Sequence, residues 1–343
     1  MPQPSPSSVI IVGAGVLGAS IAYHVAATGR AVTIIERGTV ASGVTSASFG
    51  WVGLAKSTAT AYQDPLRARA AEHFARLRRD LAHGITVPGD GAISWESSPA
   101  ETRAFVDEHR SIGHDIELVT RAVALEREPT LRDAPEVVAL ARGDVAVNAA
   151  DFTRSMLRDA VSRGARLLEG TEVTGITHNE RRVTGIRTAD GAILGSTVVL
   201  AGGTATAALA APLGVAVEVD ASPSCLLTFT APGPMLRGIL STPEFEIRQP
   251  ASHTLLGAED VPLGFEGSPR DLATETLAAI RSGLRGGEHV ALLDARIGSR
   301  PVPRGKTPLV GFTERIDGLY LAVAHPGVIL AAAIGERAAE ELA

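Results

Sequence analysis

Cysteine is almost absent from this chain: Cys225 is the only one among 343 residues. A single cysteine excludes an intrachain disulfide and a metal centre built from cysteines, and it is compatible with a reducing compartment. The nine histidines show no metal-ligand spacing, and no G-x-S-x-G motif occurs. We therefore expect a cytoplasmic protein that binds no metal and is not a serine hydrolase.

Strong charge and long uninterrupted apolar runs are also lacking. A formal net charge of −6 and a charged fraction of 20% argue against a surface for nucleic acid or an anionic membrane. The N-terminal segment MPQPSPSS has no Lys or Arg to begin a signal peptide. The long apolar stretch from Leu319 to Gly335 is interrupted by His325, Pro326 and Gly327. We therefore expect a soluble protein with no membrane span and no nucleic-acid partner.

The sequence VIIVGAGVLGASIA, residues 9–22, is an apolar β-branched run followed by three glycines with G-x-G-x-x-G spacing. Gly13 permits a tight turn, Gly15 lets the backbone approach a pyrophosphate, and Gly18 allows the next helix to pack closely on the strand. The phosphates would lie at the positive N-terminal end of that helix. Because glycine-rich turns are common, the motif needs support from its context.

The residues after the glycines supply that support. A helix over 16–29 is followed by a second β-branched run, Ala31 to Ile35, which ends at Glu36. An acidic residue about twenty positions past the glycines accepts hydrogen bonds from the ribose of an adenine dinucleotide. The sequence therefore predicts a nucleotide-binding βαβ unit. The alternative is a structural βαβ unit with an acidic residue at the strand end by chance.

The rest of the chain alternates helices and strands around polar loops. The predicted elements are a Ser-, Thr- and Gly-rich loop over 37–53, an amphipathic helix over 64–83, a helix over 151–163 capped by Asp151, a strand over 197–200, extended segments over 216–304 with a helix near 270–282, and a final strand and helix that meet at a turn before Gly327. The arginines within the helix at 64–83 are interpreted as a solvated face. The extended segments indicate a mainly antiparallel lobe.

Six segments together carry a resemblance to a known family: VIIVGAGVLGASIAYHVAATGRAVTIIER, ASGVTSASFGWVG, VNAADFTRSMLRDAVSRGARLLEGTEVTGI, VVLAGGTATAALAAPLGV, GSRPVPRGKTPLVG and GLYLAVAHPGVILAAAIGERAAEEL. In this order they resemble the FAD-dependent D-amino acid oxidase superfamily, which includes glycine oxidase, sarcosine oxidase and D-amino acid dehydrogenase. The resemblance implies an α/β fold in which a Rossmann-like FAD-binding domain of the glutathione-reductase type is interleaved with a mainly antiparallel substrate domain. It implies an FAD-binding domain at 1–85, 146–215 and 305–343, and a substrate domain at 86–145 and 216–304.

The resemblance also implies which residues bind FAD. The glycine turn would meet the pyrophosphate, Glu36 the adenosine ribose and Val173 the adenine end. A helix N-terminus at Gly327–Leu330 would stabilise the negative charge of the reduced flavin. The full set is Gly13, Gly15, Val16, Leu17, Gly18, Glu36, Arg37, Ser42, Thr45, Ser46, Ser48, Val173, Ala201, Gly202, Gly327, Val328, Ile329 and Leu330. Some relatives attach the flavin to a cysteine near the GxRP segment; Cys225 lies elsewhere, so we expect noncovalent FAD.

Arg300, in the sequence GSRP, matches the arginine that holds the substrate carboxylate in this family. A guanidinium group can bind a carboxylate through two parallel hydrogen bonds and so orient the substrate. The alternative is an ordinary surface ion pair. Tyrosines that help to hold substrate in several relatives have no clear counterpart among the three tyrosines of this chain.

The expected reaction is oxidation of the C–N bond of a small amino acid or N-substituted amino acid. Hydride would pass from Cα to flavin N5, and the imine would hydrolyse in water, so positioning matters more than an acid–base pair. Three alternatives stay open. One is a 2-hydroxy acid dehydrogenase, which would need a base such as His325. The others are an NAD-dependent dehydrogenase, which leaves the C-terminal turn unexplained, and a catalytically silent flavin-binding subunit of a hetero-oligomer.

The electron acceptor is the second expected partner, besides a small amino-acid substrate. Oxygen, a quinone and a protein carrier are all open, as is an oligomeric state. In some oxidases a lysine near flavin N5 promotes the reaction with oxygen by placing positive charge there. The chain has two lysines, Lys56 and Lys306, and neither is placed near N5 by the sequence. We therefore favour an acceptor other than oxygen.

Overall fold

The computed structural model describes residues 8–53, 57–87 and 91–343, so Lys56 and the first seven residues lie outside it. Its strands are β1 (Ser8–Val12), β2 (Ala31–Ile35), β3 (Trp51–Val52), β4 (Ala92–Ser94), β5 (Glu117–Thr120), β6 (Val137–Ala141), β7 (Val145–Ala146), β8 (Arg166–Leu168), β9 (Gly175–Asn179), β10 (Arg182–Thr188), β11 (Gly191–Leu194), β12 (Thr197–Leu200), β13 (Val219–Thr230), β14 (Ile239–Ser241), β15 (Glu246–Ala251), β16 (Thr254–Asp260), β17 (Ala291–Pro303), β18 (Leu309–Phe312) and β19 (Leu319–Val323). Its helices are α1 (Val16–Ala27), α2 (Pro65–Ala68), α3 (Ala70–Asp80), α4 (Pro99–Ser111), α5 (Arg121–Arg127), α6 (Ala149–Ser162), α7 (Thr206–Ala210), α8 (Ala273–Gly283) and α9 (Gly327–Leu342).

A six-stranded sheet carries the glycine turn. Its strand order is β18–β19–β12–β1–β2–β8, and all neighbours are parallel except β18, which pairs antiparallel with β19. Ile11 of β1 lies opposite Val199 on one side and Ile34 on the other, and all three are fully buried. Because the carboxyl ends of parallel strands share one edge, the turns after β1, β2, β12 and β19 meet there.

A second, eight-stranded sheet has the order β17–β13–β16–β15–β14–β4–β6–β5. Its pairs are antiparallel except for β14 and β4. The long strands β13 and β17 pair from Val219 opposite Pro303 to Thr230 opposite Ala291. The prediction of a mainly antiparallel lobe over 216–304 is therefore confirmed.

The two sheets are interleaved along the sequence. The strands of the six-stranded sheet lie within 8–35, 166–200 and 309–323, and those of the eight-stranded sheet within 92–141, 219–260 and 291–303. The chain thus passes repeatedly from one sheet to the other, which agrees with the predicted fold class. The residue boundaries of the two domains stay a prediction.

Helix α1 is buried between the six-stranded sheet and helices α6 and α9. The Ser20 hydroxyl donates to the Ala331 carbonyl at 2.6 Å, and a Cβ on Gly335 would lie 2.2 Å from the Ser20 Oγ. This close contact fixes the positions of the two helix N-termini, at Gly15 and at Gly327, relative to each other. Among the described residues, none of the helices has the length and apolar character needed to cross a membrane.

The helix predicted over 64–83 is interrupted. The Asp64 carboxylate accepts the Leu66 N–H at 2.8 Å and starts α2 at Pro65, but this helix ends at Ala68. Arg69, with φ −107° and ψ 5°, separates it from α3, which ends at Asp80. The apolar spacing predicted the buried face correctly, but it did not show the break.

The predicted start of the helix at 151–163 was wrong. The helix begins two residues earlier, at Ala149, because the Asn148 side chain accepts the N–H groups of Ala150 and Asp151, each at 3.1 Å. Asp151 lies in the first turn, where a negative charge is still favourable to the helix dipole. Asn148 is thus the capping residue.

Candidate active site

A cleft of about 1960 Å³ is lined by residues from both large sheets. Most of the predicted site residues line it, namely Gly13, Gly15, Val16, Leu17, Glu36, Arg37, Ser42, Thr45, Ser48, Val173, Ala201, Gly202, Arg300, His325, Gly327, Val328, Ile329 and Leu330. Gly18 and Ser46 are not among its lining residues. The structure therefore brings together segments from the two ends and the middle of the chain.

The turn after β1 leaves no room for a side chain at Gly13 or at Gly18. Gly13 has φ +108°, and a Cβ there would lie 2.6 Å from the Ala201 carbonyl oxygen. A Cβ on Gly18 would lie 1.9 Å from the Gly13 carbonyl oxygen. Gly18 therefore acts behind the cleft, by letting α1 pack against the turn, which explains why it does not line the cleft.

Thr45 lies beside the N-terminus of α1. Its side chain is buried, and its Oγ1 accepts the Val16 N–H at 3.2 Å. The hydroxyl proton remains available to donate to an anion at the helix N-terminus. Ser46 differs, because its hydroxyl donates to the Gly43 carbonyl at 3.0 Å within its own turn.

Glu36 follows β2, with its carboxylate across the glycine turn. Its Oε2 accepts the Ala14 N–H and its Oε1 accepts the Gly38 N–H, both at 2.9 Å. These two bonds fix the carboxylate at the edge of the cleft. Each oxygen keeps a second acceptor position, which is what binding of ribose hydroxyls needs.

The second helix N-terminus on the cleft belongs to α9. Pro326 is its N-cap residue and provides no side-chain cap. Val328, Ile329 and Leu330 are buried, yet they border the cleft, so the first turn of α9 presents mainly backbone there. The free N–H groups of such a turn favour a ligand atom with negative charge.

Arg300 lies on β17 at the cleft, but its guanidinium is largely engaged. Nε donates to the Ser222 carbonyl at 3.2 Å, and Nη2 donates to the Ser222 hydroxyl at 2.9 Å and to the Asp260 carboxylate at 2.7 Å. Nη2 also lies 3.4 Å from the carbonyl oxygen of Pro223. Among the described residues, none accepts a hydrogen bond from Nη1. Nη1 of the guanidinium is therefore open to a ligand, whereas Nη2 is engaged. Binding of a carboxylate through two parallel hydrogen bonds would require Asp260 to move.

His325 immediately precedes the turn that opens α9. Burial, followed by the positive charges of Arg300 and Arg67, lowers the pKa of His325 from 6.5 to about 4. Its imidazole is therefore neutral at physiological pH. It forms no side-chain hydrogen bond within the described ranges, so a ligand in the cleft can contact it.

Arg67 was missed by sequence reasoning. It is only 8% exposed and lines the cleft from α2, although its helix was interpreted as having solvated arginines. Arg67 precedes Ala70 by three residues and Phe74 by seven, and both of these are buried. That spacing puts it on the apolar side, which is the signal that could have identified it.

Cys225 borders the cleft, and its side chain is buried in the core of the eight-stranded sheet. The residue is 1% exposed, and its Sγ donates to the Pro269 carbonyl at 3.8 Å. Burial raises the pKa of this thiol, which disfavours the reactive thiolate. Lys306 is exposed in the turn after β17 and lines the cleft; Lys56 lies outside the described residues.

These residues fit a dinucleotide cofactor. At Gly13 a side chain would collide with the Ala201 backbone, so this glycine permits the tight turn that leads to Gly15 and the start of α1. The N-termini of α1 and α9 both open on the cleft, and Glu36 lies at its edge. An extended ligand with phosphates at one helix and an electron-accepting ring at the other matches this order of groups.

Comparison with known proteins agrees with this arrangement. A family model described as FAD dependent oxidoreductase (DAO) matches residues 8–341. The chain is 28% identical to glycine oxidase from Geobacillus kaustophilus (strain HTA426), with 95% of this chain and 90% of that protein covered. It is 26% identical to D-amino acid dehydrogenase from Cereibacter sphaeroides (strain ATCC 17029 / ATH 2.4.9), covering 92% and 87%.

Similarity of fold extends over nearly the whole chain. The crystal structure of glycine oxidase from Geobacillus kaustophilus matches with a TM-score of 0.87 at 27% identity, and the match covers 97% of this chain and 94% of that one. The expected α/β fold with a parallel and an antiparallel sheet is thereby confirmed. The chain belongs to the DAO family of FAD-dependent oxidoreductases, and its cofactor is FAD.

Proposed function

We propose that this protein oxidises the C–N bond of a small amino acid or N-substituted amino acid. The observation that carries the proposal is that Arg300, His325 and the first turn of α9 line the same cleft as the glycine turn. A substrate carboxylate bound at Arg300 would bring the substrate Cα toward the flavin ring at the N-terminus of α9. The names of the relatives, glycine oxidase and D-amino acid dehydrogenase, support an amino-acid substrate.

The division of labour between cofactor and protein follows from this cleft. Bound FAD supplies the acceptor for a hydride from Cα. Arg300 orients the substrate through its carboxylate, and the α9 N-terminus stabilises negative charge at the cofactor. No strong base is required, because a neutral amine carries no proton that must leave before hydride transfer.

The low pKa of His325 favours amine over alcohol oxidation. Oxidation of a 2-hydroxy acid requires a base to remove the hydroxyl proton. A general base works best when its pKa lies near the working pH, whereas the pKa of His325 is about 4. His325 is thus a weak base, and the hydroxy-acid alternative lacks a suitable proton acceptor at this position.

We propose noncovalent FAD, with the contacts assigned from the sequence. The buried Cys225 thiol, which points toward Pro269, supports the absence of a covalent bond. We also propose the interleaved domain boundaries given above, in agreement with the alternation of the two sheets. For the acceptor, we propose a species other than oxygen; Lys306, which is exposed and lines the cleft, is the described lysine that bears on this choice.

A visible spectrum tests the proposal. The purified protein should show flavin absorption that an amino acid bleaches without oxygen and that the matching 2-hydroxy acid leaves unchanged. Acid precipitation should release the yellow colour into solution. Bleaching by the hydroxy acid alone would favour the alternative dehydrogenase, and a bound flavin that neither compound reduces would favour a silent subunit.

A further inference from the structure

Arg67 is a buried cation on the cleft wall. Its Nη2 donates to the Ser57 hydroxyl at 3.0 Å, and its guanidinium carbon lies 5.0 Å from the centre of the Tyr62 ring. Its Nε is buried and has no hydrogen-bond partner among the described residues. Within the described ranges, Arg67 makes no ion pair with a carboxylate. A guanidinium removed from water without a counter-charge is costly, and a hydroxyl and a ring face offset this cost only in part.

Carboxylates also line the cleft, but among the described residues none forms an ion pair with Arg67. Asp260 pairs with Arg300 at 2.7 Å, Asp64 accepts the Leu66 N–H at the start of α2, and Glu259 accepts the Thr276 hydroxyl. Within the described ranges, the charge of Arg67 therefore has no carboxylate in contact with it. The cleft wall carries a positive charge that a bound anion would balance.

Arg67, Arg300 and His325 line the same cleft. Both guanidinium charges disfavour protonation of the imidazole, while the charge of Asp260 favours it. A ligand long enough to span these residues would therefore contact both cations. Under the proposed function Arg300 holds one carboxylate of the substrate, which leaves Arg67 for a second group.

We propose that Arg67 binds a second acidic group of the substrate, so that dicarboxylic amino acids or N-substituted amino acids are preferred. This assignment rests on the proposed function for the reaction itself. A charged hydrogen bond from a buried guanidinium gives more selectivity than an exposed one, because the pair is formed away from water. Substrates with a neutral side chain leave Arg67 unpaired and are expected to bind more weakly.

The first test measures binding and needs no turnover. The holoenzyme is titrated with succinate, glutarate and adipate, and with butyrate, pentanoate and hexanoate, and binding is followed by the change in the flavin spectrum. We expect the best dicarboxylate to bind about 10- to 100-fold more tightly than the monocarboxylate of the same length. Equal affinities at every length would overturn the proposal.

Substitutions test whether Arg67 causes the preference for dicarboxylates. Arg67→Gln should abolish it, and Arg67→Lys should retain part of it, because an ammonium keeps the charge but not the planar geometry. Arg69→Gln is the matched control, since Arg69 pairs with the exposed Glu72 and does not line the cleft. If Arg67→Gln does not fold, the dicarboxylate preference of Arg67→Lys is compared with that of the wild type. If either Arg67 variant folds and still prefers dicarboxylates as strongly as the wild type does, Arg67 does not bind the second acidic group.

Turnover separates this proposal from the proposed function. Flavin reduction is compared for both enantiomers of glutamate and of norvaline, which have chains of equal length. Equal reduction by the two amino acids means that amino-acid oxidation stands and the role of Arg67 is wrong. Absence of reduction by either, together with Arg67-dependent binding of dicarboxylates, means that the anion site stands and the proposed reaction is wrong.

Discussion

Arg300 Nη2 lies 2.7 Å from the Asp260 carboxylate, at the mouth of the cleft. The Asp260 side chain is 81% exposed and that of Arg300 is 28% exposed. An ion pair this accessible contributes little to stability. Under the proposed function, a substrate carboxylate would displace Asp260, and the pair would hold the guanidinium in place until then.

The first prediction follows from this competition. Asp260→Asn should tighten the binding of monocarboxylate inhibitors by about two- to fivefold, since an exposed pair costs about 1 kcal/mol or less to break. Asp294→Asn is the control, because Asp294 pairs with Arg296 on the same strand and does not line the cleft. Weaker binding in the Asp260 variant would mean that Asp260 orients Arg300 and does not compete for it.

The second prediction concerns Arg300 itself. Arg300→Ala should lower kcat/KM for an amino acid by about 10- to 150-fold, the loss of one charge-assisted contact of about 1.5–3 kcal/mol. Arg300→Lys should recover only part of this loss. The FAD content should stay unchanged. The wild type should prefer an amino acid over its decarboxylated amine; an alanine variant with the same preference would show that the carboxylate is held elsewhere.

The third prediction tests the glycine turn. Gly18→Ala should lower both the melting temperature and the FAD content, because the new Cβ would lie 1.9 Å from the Gly13 carbonyl oxygen. Gly143→Ala is the control, since a Cβ there meets no atom within 4 Å. Thermal unfolding and flavin absorbance per protein measure the two effects. Normal FAD content in a folded Gly18 variant would contradict the role of this turn.

The fourth prediction is a pH dependence of stability. The pKa of His24 and that of His325 are both lowered from 6.5 to about 4, chiefly by burial. Below pH 6.5 these two histidines become protonated in the unfolded chain but stay neutral in the folded chain until the pH nears 4. The free energy of unfolding should therefore fall as the pH decreases from 6.5 to 4. His325→Asn should lose less stability over this range than the wild type. The exposed His289 provides the control variant, His289→Asn; an equal loss in all three proteins would contradict the burial of a neutral His325.

Much of the nucleotide part could be predicted from the sequence. The run from Val9 to Glu36 combines local patterns that need no distant partner: β-branched strands, a glycine turn and an acidic strand end. The turn before α9 was also predicted, because Gly327 separates an apolar strand from a helix of small residues. Such short-range signals survive in a single sequence.

The substrate end depended on distant contacts that the sequence does not reveal. Asp260 lies forty positions before Arg300, and only the pairing of β13 with both β16 and β17 brings them together. Arg67 was interpreted as solvated because its helix has an amphipathic pattern, whereas packing buries it in the wall of the cleft. The cap of α6 was predicted to be Asp151 and is Asn148, because both residues are good helix caps and they lie within one turn of each other.

The central claim, oxidation of a C–N bond, is tested most directly by measuring nitrogen release. The FAD-loaded protein is reduced without oxygen by an amino acid, and the ammonia or amine set free is compared with the flavin reduced. We expect one equivalent of nitrogen product per flavin reduced, together with the corresponding 2-oxo acid. Flavin reduction with no nitrogen released, or reduction only by the 2-hydroxy acid, would contradict it.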